Sequence, residues 1–343
     1  MISSLNSTPI FVFVALASLQ ATHSSASAEE WVGNQFMPRP CATFMVGSEV
    51  ILDRNIRLPF TVKREKGKWL WVGNAWIQKV EVVSVEDAVR FYSECLKRNP
   101  HDKWLFNARG FAWQGNGEYE RAVTDHTKAL EIDPDYAHAL FGRGRSWKQK
   151  GEYEKSISDH NAALTIAPAY VQALNGRGLS LKLKKEYRKA ISDFSDAIKH
   201  NPEYLHARNN RGNTYAMIGA FPDALKDLKA TIRIDPEYAL GYSNIAWLLA
   251  TCPDPKYRNG KQAVVYAKKA CELSKWENAE FIDSLAAAYA EIGDFDSAVK
   301  YQSLSVDLSG KEKGAKKYRD RLQLYQNKKP YHEMPSKAFQ SDQ

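Results

Sequence analysis

The stretch KWLFNARGFAWQGNGEYERAVTDHTKALEIDPDY, from Lys103 to Tyr136, decides how this chain is read. Its first half, Trp104 to Trp113, carries apolar residues at helical spacing and ends at Gly115-Asn-Gly117, a glycine pair that breaks a helix. Its second half, Tyr119 to Ile132, places Ala122, Val123, Ala129 and Leu130 on one stripe. Asp133-Pro134 stops it, because proline disfavours helical geometry in the residue before it. The pattern then repeats every 34 residues. Ala88, Ala122, Ser156, Ala190 and Ala224 form a column of small residues, and Pro100, Pro134, Pro168, Pro202 and Pro236 form a second. Gly110, Gly144, Gly178 and Gly212 form a third, each preceded by an arginine: Arg109, Arg143, Arg177 and Arg211. Columns locked to one period describe an array of stacked helix pairs, none of which can bury its apolar face alone.

The pattern resembles the tetratricopeptide repeat, also a 34-residue unit of two antiparallel helices. Counting each unit from Lys103, the resemblance implies small residues at positions 8, 20 and 27, aromatics at 11 and 24, and proline at 32. Position 8 is glycine throughout; position 11 is Trp113, Trp147, Leu181 and Tyr215. Position 24, which holds His126, His160, Phe194 and Leu228, departs from the family in three units of four. The resemblance implies a mainly α solenoid of about six helix pairs over 84–310. A lone second helix leads it, and four full units follow from Lys103 to Tyr238. The fifth unit is expanded by the turn Cys252–Gly260, and the sixth runs from Ala279 to Gly310. Residues 311–327 read as a basic capping helix and 328–343 as a disordered tail.

Ahead of the array, residues 10–19 are apolar or small and too few to span a bilayer. Ala26-Ser27-Ala28 follows as a signal-peptidase site, so 1–28 reads as a signal peptide, although no Lys or Arg precedes Ile10. The expected location is therefore the periplasm or cell envelope. After a linker over 29–46, the runs between 47 and 83 are short, β-branched and aromatic, which favours strands. Gly67-Lys-Trp69-Leu-Trp71-Val72, then Ala75-Trp76-Ile77, resembles the end of a bacterial SH3-like domain. That resemblance implies a small β segment, with Trp69, Trp71 and Trp76 as a candidate surface for wall polymer or, alternatively, as a packing core against the first array helix.

Composition narrows the function. The net charge is +8, but residues 311–343 hold nine Lys/Arg against four Asp/Glu, and 84–310 hold 31 against 30. A near-neutral array argues against nucleic acid, while the basic tail is a candidate contact for anionic surfaces. Cys95 and Cys271 read as core thiols, Cys252 and Cys271 stand too far apart along their helices to bridge, and Cys41 is left open. No phosphate-binding loop, nucleophile elbow or zinc-protease motif occurs, and no cofactor or metal spacing is found. His126 and His160 read as packing residues. The recurrent arginines at position 7 and aspartates at position 23 (Asp125, Asp159, Asp193, Asp227) read as an ion-pair ladder within or between units.

The reading is a non-enzymatic scaffold that binds a protein or extended peptide; the alternative is an envelope adaptor that binds wall polymer through the β segment. In tetratricopeptide arrays positions 2, 5, 9 and 12 of successive first helices line a concave groove. The resemblance carries these roles onto Asn107, Phe141, Asn175 and Asn209 at position 5, onto Arg145 and Asn213 at 9, and onto Lys148 and Lys182 at 12, with Asn244 beside them at position 6 of the fifth unit. Asparagine amides both donate to and accept from an extended backbone, and the three cations suit acidic side chains.

Overall fold

The computed structural model describes residues 35–40, 42, 44–46, 49–51, 60–72, 76–79, 82–310 and 315–333. The signal peptide and Cys41 lie outside the described residues. Strands fill part of the expected linker as well as the β segment. β1 (Gln35–Pro38), β4 (Phe60–Thr61) and β8 (Val82–Ser84) make a sheet ordered β4-β1-β8. β2 (Phe44–Val46), β3 (Glu49–Ile51), β5 (Arg64–Lys66), β6 (Trp69–Trp71) and β7 (Trp76–Gln78) make a second, ordered β3-β2-β7-β6-β5. All pairings are antiparallel.

Leu70 and Ile77 are register partners across β6 and β7, and both are fully buried. With Met37 and Val62 they join one core with Ala88, Tyr92 and Leu96 of α1 (Val85–Arg98). Tyr92 donates its hydroxyl to the Pro38 carbonyl at 2.6 Å. The small β unit thus seals the N-terminal end of the helical stack, which would otherwise expose an apolar face.

Six helix pairs follow α1, made by α2 (Lys103–Gly115) with α3 (Tyr119–Ile132), α4 (Ala137–Gln149) with α5 (Tyr153–Ile166), α6 (Val171–Leu183) with α7 (Tyr187–His200), α8 (Leu205–Met217) with α9 (Phe221–Ile234), α10 (Ala239–Thr251) with α11 (Gly260–Leu273), and α12 (Ala279–Glu291) with α13 (Phe295–Ser309). A 3-10 turn at Pro255–Tyr257 occupies the expanded connection of the fifth pair, and α14 (Ala315–Gln326) caps the array. Within pairs the turn needs a positive φ, supplied by Gly117, Gly151, Gly219 and Gly293 at 77° to 82°; Lys185 takes the same place in the third pair at 65°.

The small-residue columns are the close approaches. Ala88, Ala122, Ser156, Ala190 and Ala224 are all fully buried. A Cβ on Gly110 would lie 2.7 Å from the His126 ring, and one on Gly144 would lie 2.8 Å from the His160 ring. The same rings are pressed from the following unit, where a Cβ on Gly142 or Gly176 would meet them at 2.4 and 2.7 Å. Where position 24 is instead Phe194 or Leu228, the next unit has Asn210 or Asn244 at that site. Histidine at 24 and glycine at position 6 of the next unit thus occur together.

The arginine–aspartate ladder is intra-unit. Arg109 pairs with Asp125, Arg143 with Asp159, Arg177 with Asp193 and Arg211 with Asp227, each through two hydrogen bonds of 2.6–2.9 Å. The third guanidinium nitrogen reaches the preceding unit, donating to Ser93, Thr127, Asn161 and Ser195 in turn. One planar cation therefore joins both helices of its own unit to the second helix of the unit before, a bidentate fork that lysine cannot reproduce.

Candidate peptide-binding site

Successive first helices touch one another along the inner face, and the candidate residues stand there at different depths. Asn107, Phe141, Asn175 and Asn209 are buried; Arg145, Lys148, Lys182, Asn213 and Asn244 are half-buried. The buried amides are engaged within the protein. Asn107 accepts from His126 Nδ1 at 3.0 Å, Asn175 accepts from Asn210 at 2.9 Å, and Asn209 accepts from Asn244 at 2.7 Å. The last two bonds span adjacent units and lock their first helices in register. Among the described residues, half-buried Asn213 is the asparagine of the set without such a bond.

Arg145 lies 5.8 Å from the centres of both the Phe111 and Phe141 rings. Lys148 and Lys182 extend the same basic strip one turn further along α4 and α6. Among the described residues neither lysine meets a carboxylate, and burial holds both ammonium groups below the usual lysine range, with Arg145 adding repulsion at Lys148. Partly desolvated cations with no internal counter-charge attract an external anion.

An aromatic strip runs beside them that the period would have revealed in the sequence: Tyr136, Tyr170, Tyr204 and Tyr238 recur at position 34. Tyr136, His138 and Tyr170 follow one another at ring distances of 5.9 and 5.2 Å, and Tyr170 reaches Phe141 at 5.3 Å. Tyr204, His206 and Tyr238 repeat the motif two units on. Half-buried tyrosines offer an extended chain both ring faces and hydroxyls.

At the far end the inner face is covered by the chain itself. Asp283, at position 5 of the sixth unit, is buried and accepts two hydrogen bonds from Arg321 of α14, at 2.8 and 2.7 Å, and one from Gln302 at 2.9 Å. Burial pushes its carboxyl up, opposed by that arginine and amide. Beyond α14, in the stretch assigned to the disordered tail from sequence, Tyr331, His332 and Glu333 pack on α10 and α12. Apolar and aromatic contacts outweigh the polar composition that suggested disorder.

His126 and His160 are fully buried. Desolvation, with nearby arginines, pushes His126 down to about 3. His160 is likewise pushed down to about 3 by desolvation, with Lys148, Arg177 and Arg145 adding to it. His126 has partners for both nitrogens, Asn107 and Gln114, whereas among the described residues neither nitrogen of His160 has one. The difference follows from sequence: positions 5 and 12 are Asn107 and Gln114 in the first unit but Phe141 and Lys148 in the second. Cys252 and Cys271 are buried thiols, and burial pushes Cys271 up to about 12. No cluster of metal-ligating residues exists among the described residues, nor any helix long and apolar enough to cross a membrane. In the β unit Trp71 pairs with Trp76 across the strands and is half-buried; the side chains of Trp69 and Trp76 lie outside the described residues.

The family model described as tetratricopeptide repeat matches residues 114–171 and 172–239. No curated protein matches the chain. Among solved structures, the Cut9–Hcn1 hetero-tetramer of the APC/C superposes with a TM-score of 0.60 at 15% identity, over 69% of this chain and 46% of that one. A tetratricopeptide repeat protein from Parabacteroides merdae gives 0.52 at 18% identity, over 71% and 93%. Pseudomonas aeruginosa pilF gives 0.51 at 19% identity, over 69% and 98%. At these identities the likeness is one of fold alone, that of a tetratricopeptide-repeat solenoid.

Proposed function

We propose that this solenoid is a non-enzymatic scaffold that holds an extended, acidic segment of a protein partner along the inner face of its second and third units. Proteins of this repeat family are generally interaction scaffolds that bind other proteins. The observation that carries the present reading is the strip Arg145, Lys148 and Lys182, in which the two lysines are half-buried and meet no carboxylate among the described residues. The tyrosines at position 34 flank it and supply stacking surface.

The test is anisotropy titration with fluorescent peptides, one rich in glutamate and aromatic residues and one with glutamine in place of each glutamate. The acidic peptide should bind at least tenfold more tightly at low salt, and Lys148→Glu with Lys182→Glu should abolish the preference. Equal binding of both peptides, or an unchanged preference in the double variant, defeats the proposal.

The same reading takes the chain to be exported, on the apolar run 10–19 and the Ala26-Ser27-Ala28 site. It takes the β unit as an SH3-like cap on the array. A periplasmic reporter fused after residue 28 that stays inside the cell would remove the first of these.

A further inference from the structure

The inner face is not uniform along its length. Its second and third units are basic, while its fifth and sixth are met by Tyr331, His332 and Glu333, which follow α14 after a turn at residues 327–328. The amide of Glu333 donates to the Thr251 carbonyl at 2.8 Å, and its carboxylate accepts from the Trp247 indole nitrogen at 2.7 Å. The Tyr331 ring packs on Trp247 at 5.8 Å, and the Arg321 guanidinium lies over both rings, at 5.1 and 5.3 Å. His332 Nε2 and Glu291 Oε2 stand 2.7 Å apart. Trp247 occupies position 9 of its unit, one of the inward positions, and Thr251 and Glu291 follow it on the same face of α10 and α12.

These contacts have the form of peptide recognition: one main-chain hydrogen bond sets the register, an aromatic seat takes one side chain, and the half-buried indole of that seat donates to a carboxylate two residues on. They do not have the form of a core. Lys328, Lys329, Pro330 and Glu333 are exposed, and Tyr331 is only half-buried. The fixed part of the arrangement is built by the array without the segment. Arg321 is held by buried Asp283, and Asp283 in turn by Gln302, so the seat for Tyr331 exists whether or not the segment is in it.

We infer that Trp247, Thr251, Glu291 and Arg321 form a second peptide subsite, whose ligand is an extended segment with an aromatic residue two positions before a carboxylate, and that Tyr331-His332-Glu333 occupies it in cis as a competitor. The inference rests on the proposed peptide-binding function and divides it into two subsites. The open basic one takes the acidic stretch of the partner, and the closed one takes its aromatic–acidic end once the chain's own segment is displaced. Tethering by a few residues gives the internal segment an effective concentration on the order of millimolar, so a free peptide competes poorly until the tether's own contacts are weakened.

The experiment uses the full chain with Tyr331→Ala and Glu333→Gln together, which leaves α14 and its Arg321–Asp283 pair intact. The probe is a fluorescein-labelled peptide spanning residues 328–336. The double variant should bind it at least tenfold more tightly than the natural chain, and a peptide carrying the same two substitutions should bind neither. With 5-fluorotryptophan incorporated, the Trp247 resonance, assigned through Trp247→Phe, should move in the double variant and return on saturation with the natural peptide. Equal affinity in the two chains, or a Trp247 resonance that ignores the peptide, overturns the inference. The glutamate-rich peptide is titrated against the same proteins. If it binds while the 328–336 peptide does not, the second subsite falls and the basic groove stands. If only the 328–336 peptide binds, the reverse holds.

Discussion

Replacing His160 by phenylalanine should remove part of the protein's acid sensitivity without weakening it at neutral pH. His160 is fully buried, and among the described residues neither of its nitrogens has a hydrogen-bond partner, so no bond is lost on substitution. Phe194 fills the same position of the next unit, against Gly178. The imidazole is pushed down to about 3, first by desolvation and then by Lys148, Arg177 and Arg145, whereas in the unfolded chain it titrates near 6.5. Between those values the unfolded state binds one more proton than the native state. Stability therefore falls as pH drops below the unfolded value, and the loss continues until the folded value is reached. For one such group the loss between pH 7 and pH 5 is about 2 kcal/mol, at about 1.4 kcal/mol per fully responding pH unit. The measurement is urea unfolding followed by far-ultraviolet circular dichroism, natural chain against His160→Phe, at both pH values. His126 titrates in both proteins and cancels in the comparison. The variant should lie within about 1 kcal/mol of the natural chain at pH 7 and gain about 2 kcal/mol on it at pH 5. A stability difference that does not change with pH would refute the burial argument. A large loss at pH 7 would refute the claim that the ring makes no hydrogen bond.

Three further outcomes follow from the repeat geometry. Asp159→Ala leaves the part-buried Arg143 guanidinium without its bidentate partner and should cost roughly 3 kcal/mol, read from the urea midpoint; a cost below about 0.5 kcal/mol would show the ladder to be mere surface decoration. Lys185→Gly relieves a left-handed residue at a turn where four of the other five pairs use glycine, and should raise stability by about 1 kcal/mol. A lower melting temperature would contradict that. Gly144→Ala puts a Cβ 2.8 Å from the His160 ring and should cost about 1–3 kcal/mol; combining it with His160→Ala should recover part of the loss, since the clash is with that ring.

The sequence alone makes the helical array legible. Its period, its turn glycines, its terminal prolines and its small-residue columns are local or strictly periodic features, and stacking follows from them because no unit can bury its apolar face alone. It also disclosed the arginine–aspartate ladder, since a recurrent acid and base need only be counted. It contained the tyrosine column at position 34 as plainly, although that column belongs to no steric pattern of the repeat and is passed over when only packing positions are compared.

Tertiary structure decided what periodicity cannot carry. Position 5 was legible as an inward column, but whether Asn107, Asn175 and Asn209 face a ligand or one another depends on the approach of neighbouring first helices, and in this fold their amides bond to His126, Asn210 and Asn244. Whether each arginine pairs within its unit or beyond it was likewise a matter of distance across helices rather than along the chain. The segment Lys328–Glu333 shows the limit most clearly. Its composition is that of a solvated tail, and its order comes from partners more than 30 residues away, Trp247, Thr251 and Glu291, which only the packing of α10 against α12 places side by side.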